Sequence, residues 1–190
     1  MVIKPNITDH HKDTFTLEGY WALWKLMSIY PRRIMELGIY TGGSLLLWND
    51  MFAPDVIVGL DIDIDRAGLE RVRQFDNICL CTFDQYDPNT LVSVMNELDG
   101  GVTLGGVSIS IANFDLIIDD CSHDIEGAFG CMDLLWPRLN VGGAYVIEDW
   151  NAEWVAEAKL RESLNRSYIP QLNMGSVIIT PGFIGMVKCG

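Results

Sequence analysis

The chain is 190 residues long, the length of one domain, and 49% of its residues are hydrophobic against 21% charged. That balance excludes a disordered or fibrous protein and provides for a sizeable core. A net charge of −13 excludes the basic footprint that nucleic-acid backbones and anionic membrane surfaces require, and it suits a site that gathers cations.

The first stretch, "MVIKPNITDHHKD", is polar, carries His10 and His11, and lacks the apolar centre of a secretory leader. No apolar run approaches the ~20 residues that span a bilayer. A cytoplasmic location is expected. Residues 15–29, "FTLEGYWALWKLMSI", carry apolar side chains at helical spacing, and Pro31 closes that helix. Residues 1–30 therefore read as an N-terminal segment and helix, with room for a lid over a site. Residues 31–190 read as one domain.

From there strands and helices alternate. "RIMELGI" (33–39) reads as a buried strand, "YTGGS" (40–44) as a glycine-bearing turn, and "SLLLWNDMF" (44–52) as a helix. "VIVGLDID" (56–63) is a second strand, and 65–75 a helix capped by Asp65. "ICLCTFD" (78–84) is a third strand, and 88–98 a helix with Pro88 in its first turn and Asp87 as its cap. Residues 99–113 suggest a loop or small hairpin. "FDLIIDD" (114–120) is a fourth strand, 124–139 a helix ending near Pro137, "GGAYVIED" (142–149) a fifth strand, and 152–166 a helix. "SVIITPGFIGMVKC" (176–189) is two strands joined by Pro-Gly, the pair that suits a type II turn. Alternation implies a parallel sheet with helices on both faces, closed here by an antiparallel hairpin. The five cysteines, 79, 81, 121, 131 and 189, form no CxxC pair and are expected as reduced thiols. Core packing is expected for five of the six tryptophans, with Trp150 divided between core and site.

Ligands of an open parallel sheet bind beyond the carboxyl ends of its strands. After the first strand, Glu36, Gly38, Tyr40, Gly42, Gly43 and Ser44 form a turn whose small residues admit a ligand to the backbone. The spacing is not GxGxxG, which weakens the case for a dinucleotide and for a nicotinamide-dependent oxidoreductase. Asp61, about twenty residues on, can accept hydrogen bonds from ribose hydroxyls. Asp63 and Asp87 fit helix caps or solvated neighbours. Asp84 and Gln85 follow the third strand and can meet an adenine edge.

The fourth strand runs into "DDCSH", Asp119 to His123, and the fifth ends at Glu148-Asp149. Neighbouring strands would crowd these carboxylates. Crowded carboxylates repel one another, which a divalent cation relieves, and oxygen donors of this kind suit Mg²⁺ or Mn²⁺. Histidine changes charge near neutral pH, so His123 beside such a cluster fits a general base.

Together "ELGIYTGGS", "GLDID", "DQYDP", "IIDDCSH" and "GGAYVIEDW" resemble the class I S-adenosylmethionine-dependent methyltransferases. Within them the chain is similar to the metal-dependent sugar O-methyltransferases of macrolide pathways, the mycinamicin type. The resemblance implies a Rossmann-like α/β fold with a seven-stranded, mostly parallel sheet and a C-terminal antiparallel hairpin. It implies S-adenosylmethionine bound by Glu36, Gly38, Tyr40, Gly42, Ser44, Asp61, Asp84, Gln85 and Asp119. It implies Mg²⁺ (or Mn²⁺) on Asp120, Glu148 and Asp149, with His123 as catalytic base on a small hydroxyl acceptor such as a sugar. A homo-oligomer is compatible with it; nucleic acid and membrane partners are not expected. A non-catalytic module that binds the same cofactor is the remaining alternative. Two departures stand out. Only about 30 residues precede the first strand, where the macrolide enzymes carry a further region that helps build the sugar site and the oligomer. Cys121 stands where a small residue is usual. A smaller or more exposed acceptor is expected in consequence.

Overall fold

The computed structural model describes residues 12–66, 68–149 and 173–190. The expected helix over 152–166, together with His10, His11, Trp150 and Trp154, lies outside them.

Helix α1 (Thr14–Trp24) starts where the Asp13 carboxylate accepts the Thr16 amide at 2.7 Å. Then follow β1 (Arg33–Leu37), α2 (Gly43–Phe52), β2 (Val56–Asp61), β3 (Ile78–Thr82) and α3 (Pro88–Gly100). A small hairpin, β4 (Val102–Leu104) and β5 (Val107–Ile109), fills the stretch expected as loop or hairpin. The chain continues with β6 (Phe114–Asp119), α4 (Ile125–Leu135), β7 (Leu139–Glu148), β8 (Met174–Thr180) and β9 (Phe183–Lys188). The main sheet has seven strands in the order β3-β2-β1-β6-β7-β9-β8. Pairings among β3, β2, β1, β6 and β7 are parallel, and β9 is antiparallel to both β7 and β8. The Pro181-Gly182 turn joins the last two strands with Gly182 at φ +73°, as position i+2 of a type II turn demands.

Successive strand residues point to opposite faces, and the two cores follow that alternation. On one face Met35, Val58, Ile117 and Tyr145 pack with Leu91, Leu98, Met132 and Leu135 of α3 and α4. On the other, Ile34, Ile57, Leu116 and Val146 pack with Tyr20 and Leu23 of α1 and Leu45 and Trp48 of α2. Trp48 and Trp136 are core residues, as expected, whereas Trp21 is 44% exposed.

One expected helix is not formed. Residues 65–75 hold only a 3₁₀ turn, Leu69–Arg71. Gly68 sits at φ +103° and gives its amide to the Glu70 carboxylate at 2.7 Å, while Asp63 accepts the Asp65 amide at 3.2 Å. Such side-chain bonds to nearby amides compete with a helix for the backbone. Asp65, expected as its cap, instead meets Arg73 at 3.3 Å. Helix α1 also ends early, at Trp24, whereas α4 gives way at Trp136 to a 3₁₀ turn containing Pro137, where its interruption was expected.

Because α1 is held to the sheet by fully buried Tyr20 and Leu23, Leu23→Ala should cost about 2–4 kcal/mol. Urea unfolding measures this. A loss below about 1 kcal/mol would mean that α1 is not docked on β9.

Candidate active site

At the carboxyl ends of β1, β2, β3, β6 and β7 lies a cavity of about 460 Å³. Five of the residues expected at a cofactor line it: Gly38, Tyr40, Asp61, Asp84 and Gln85. Asp120, His123 and Asp149 line the same cavity.

The side of the cavity lined by Gly38, Tyr40 and Asp61 is built on backbone proximity. The Gly38 amide donates to the Leu60 carbonyl and the Asp120 amide to the Leu37 carbonyl, both at 2.8 Å, so the loops after β1 and β6 run against each other. Gly38 has φ +81°, and a Cβ there would lie 2.1 Å from the Asp120 carbonyl oxygen. Only glycine fits. Asp61 accepts the Tyr40 amide and the Asp63 amide, each at 3.0 Å, and Arg66 approaches it at 3.4 Å. Arg66 also stands over the Tyr40 ring, 5.1 Å from its centroid. The cavity wall here includes Ile62, Phe83 and Tyr86, apolar surfaces that suit a nucleoside.

Four residues expected at the cofactor do not reach the cavity. Glu36 is wholly buried, with one oxygen accepting from Trp48 Nε1 at 3.0 Å. Ser44 is buried and hydrogen-bonded to Glu36. Gly42 supplies the left-handed N-cap of α2, a backbone role. Asp119 falls on the opposite face of β6 from Ile118. It is 2% exposed, and burial pushes its carboxyl up to about 7. It accepts from Gln85 Nε2 at 3.1 Å, while Gln85 Oε1 accepts the Ser122 amide at 3.1 Å. Gln85 thus ties the ends of β3 and β6 together and forms a wall of the cavity.

The acids divide into two groups that share Asp120. Facing the cavity, Asp120, His123 and Asp149 bring ligand atoms within 4.8 Å of one another. Beneath them Glu36, Asp120 and Glu148 meet by the same measure, around the ammonium of Lys12. Lys12 Nζ stands 2.6 Å from Asp120 Oδ2, 2.9 Å from Glu148 Oε1 and 3.3 Å from Glu36 Oε1. Tyr20 donates its hydroxyl to Glu148 at 2.5 Å. The expected trio of Asp120, Glu148 and Asp149 is therefore not assembled as one group. The reason is parity: Glu36, Asp120 and Glu148 share the α1 and α2 face of the sheet, and Glu148 turns inward to Tyr20 and Lys12.

Burial by itself would lower the Lys12 pKa, but Glu148, Glu36 and Asp120 overcome it and raise it. One ammonium does not neutralise three carboxylates. Burial pushes Glu148 up to about 8 and also raises Glu36, in each case against the pull of Lys12. Asp149 is raised by burial and by Asp120, with His123 opposing.

Backbone strain marks the same place. Five non-glycine residues have positive φ among those described, and three of them line the cavity: Tyr40 (+48°), His123 (+56°) and Asp149 (+49°). Such conformations cost free energy and concentrate at functional sites. His123 and Asp149 are thereby turned towards the cavity mouth. The donor set there, carboxylate oxygens with an adjacent imidazole in a solvent-accessible recess, fits a hard divalent cation that keeps waters or substrate oxygens. Lys12, Tyr20, Trp48, Arg66 and Ser122 are site residues that the sequence did not single out. Strand parity could have put Glu36 and Glu148 on one face of the sheet, but it says nothing of Trp48 and Tyr20, which lie on helices. Lys12 lies 108 residues from Asp120 and carries no local signal.

No family model matches the chain. Among curated proteins it is 34% identical over 130 residues to demethylmacrocin O-methyltransferase of Streptomyces fradiae, covering 64% of this chain and 28% of that protein. It is 32% identical over 152 residues to 8-demethyl-8-alpha-L-rhamnosyl tetracenomycin-C 2'-O-methyltransferase of Streptomyces olivaceus, covering 74% of this chain and 35% of that protein. The chain thus spans about a third of the length of these relatives. Among solved structures, the MycE methyltransferase of the mycinamycin biosynthetic pathway, in complex with Mg, SAH and mycinamycin VI, superposes with a TM-score of 0.67. The identity is 24%, over 92% of this chain and 48% of that one. An O-methyltransferase from Bacillus cereus in complex with SAH gives a TM-score of 0.59 at 14% identity, over 96% of this chain and 85% of that one.

Substituting Gly38→Ala should destabilise the fold by about 2 kcal/mol or more, since the added carbon meets backbone and the backbone is left-handed. Urea unfolding checks it; a change below about 0.5 kcal/mol would contradict the close approach of the two loops.

Proposed function

We propose that this chain, which carries the class I S-adenosylmethionine-dependent methyltransferase fold, transfers a methyl group from S-adenosylmethionine to a hydroxyl oxygen of a sugar or similar natural-product-like acceptor, with the help of Mg²⁺ or Mn²⁺. The observation that carries the reading is that one cavity joins Gly38, Tyr40 and Asp61 on one side to Asp120, His123 and Asp149 on the other.

S-adenosylmethionine supplies an electrophilic methyl on a sulfonium, and a divalent ion at Asp120 and Asp149 supplies acidification of a nearby hydroxyl. The chain's own residues do the rest. Asp61 receives the ribose hydroxyls at the end of β2, and Asp84 reaches the adenine edge beyond β3. Gly38 lets the cofactor lie against backbone. Tyr40 and Ile62 shield it from water. His123 takes the acceptor hydroxyl's proton on its imidazole. As the oxygen's electron pair closes on the methyl carbon, the carbon–sulfur pair passes to sulfur, leaving S-adenosylhomocysteine. Most of the acceleration comes from fixing donor and acceptor in line. The name of one curated relative, an 8-demethyl-8-alpha-L-rhamnosyl tetracenomycin-C 2'-O-methyltransferase, supports the acceptor class.

His123→Ala should lower turnover by about 10²-fold or more while S-adenosylhomocysteine binding, measured by calorimetry, stays within about threefold. Full activity in that variant would sink the base assignment. Excess chelator should abolish methyl transfer and Mg²⁺ should restore it. A protein that binds NAD in preference to S-adenosylhomocysteine would overturn the whole reading.

A further inference from the structure

We propose that a second cavity, between α3 and α4, is an annex of the nucleoside site: it takes a neutral, apolar substituent carried on the adenine N6 atom, so that the chain binds N6-monosubstituted forms of its cofactor as well as the ordinary one. This rests on the methyltransferase reading above and extends it to the class of cofactor that the site accepts.

The cavity measures about 280 Å³. That falls short of the ~300–1,000 Å³ of sites that enclose a whole small molecule, but it is ample for a side group. Two helices wall it. From α4 come Gly127, Gly130, Cys131 and Leu134, an i, i+3, i+4, i+7 set that shares one helix face. From α3 come Pro88 and Leu91. The gap exists because two of the four α4 positions lack a side chain. At Gly127 an added Cβ would stand 3.1 Å from Gln85 Cδ, whereas at Gly130 it would meet nothing within 4 Å. Gly130 therefore borders open space.

Phe83, Gln85 and Tyr86 line this cavity and the larger one as well. They belong to the turn after β3, which also carries Asp84. That turn is fixed to α3: the Asp84 amide donates to Thr90 Oγ1 at 3.1 Å, and the Thr90 hydroxyl donates to the Asp87 carbonyl at 2.7 Å. Asp84 Oδ1 accepts the Tyr86 amide at 2.9 Å, which leaves Oδ2 for the adenine amine. An adenine amine has two N–H groups. One suffices for Asp84, and a carbon group in place of the other keeps that hydrogen bond. Such a group leaves the base where Gln85 and Tyr86 border both cavities, and Phe83, Leu91 and Leu134 offer it apolar surface. The charged members of the lining, Asp124 and Glu126, are both acidic, and Asp124 is engaged in capping α4 by accepting the Gly127 amide at 3.0 Å. An anionic substituent is therefore disfavoured, and a neutral one fits.

Calorimetry on the full chain with S-adenosylhomocysteine and N6-benzyl-S-adenosylhomocysteine tests this. The two dissociation constants should agree within about fivefold, and a greater loss with the benzyl compound overturns the proposal. Gly130→Leu then shows where the substituent lies. Gly130 lines the second cavity and not the first, and replacing a glycine inside a helix favours the helix. The variant should bind S-adenosylhomocysteine within about threefold of the unmodified protein, while its preference for that compound over the benzyl one rises at least about tenfold. A smaller rise, or an equal loss of both ligands, would put the benzyl group elsewhere and overturn the proposal. Failure of the unmodified protein to bind either compound would instead refute the cofactor reading, and this proposal with it.

Discussion

The structure turns on one buried electrostatic contact, the Lys12 ammonium among Glu36, Asp120 and Glu148. A carboxylate withdrawn from water needs a partner, and breaking a buried ion pair typically costs about 3–5 kcal/mol. Three such acids come from three strands, or from the residue just past a strand, and converge on one point. The cation that meets them precedes α1. Docking of α1 on the sheet is therefore coupled to the condition of the site: Tyr20 packs in the core with Leu23 and gives its hydroxyl to Glu148. The chain immediately before α1 is thus tied to the acid cluster through Lys12.

Alternation along the strands turns this constraint into a functional arrangement. Asp119 and Asp120 are consecutive, so they face opposite ways. Asp119 goes under α4, where it holds Gln85 and with it the wall beyond β3. Asp120 goes to the acid cluster and reaches the cavity with its remaining surface. The cavity itself lies where the strand order reverses between β1 and β6, the position at which open parallel sheets bind their ligands. Three strained residues, Tyr40, His123 and Asp149, stand at its lip. The surrounding fold holds them in conformations that side chains with a Cβ otherwise avoid.

Much of this was legible in the sequence. Strand–helix alternation and the Pro-Gly hairpin gave the sheet order its plan, and acids after the fourth and fifth strands located the cavity's acidic side. The ends of elements were less legible, as at residues 65–75, where side-chain bonds from Asp63 and Glu70 displace helical ones. The division of the acids was readable in principle, since the alternation that buries Ile34 and Val146 on one face also sends Glu36 and Glu148 there. Treating all strand-end acids as facing one volume missed it. Lys12 was not readable at all. A lysine in a polar stretch resembles any solvated lysine until the chain folds and closes a separation of more than a hundred residues.

The most direct test of the account is an anomalous difference map from crystals of the protein grown with Mn²⁺ and S-adenosylhomocysteine. The account predicts one Mn²⁺ peak within coordination distance of Asp120 and Asp149 on the cavity side, and S-adenosylhomocysteine against Gly38 and Asp61. A map with no peak at these carboxylates would contradict the metal-assisted reading; S-adenosylhomocysteine outside the cavity would contradict the function drawn from it.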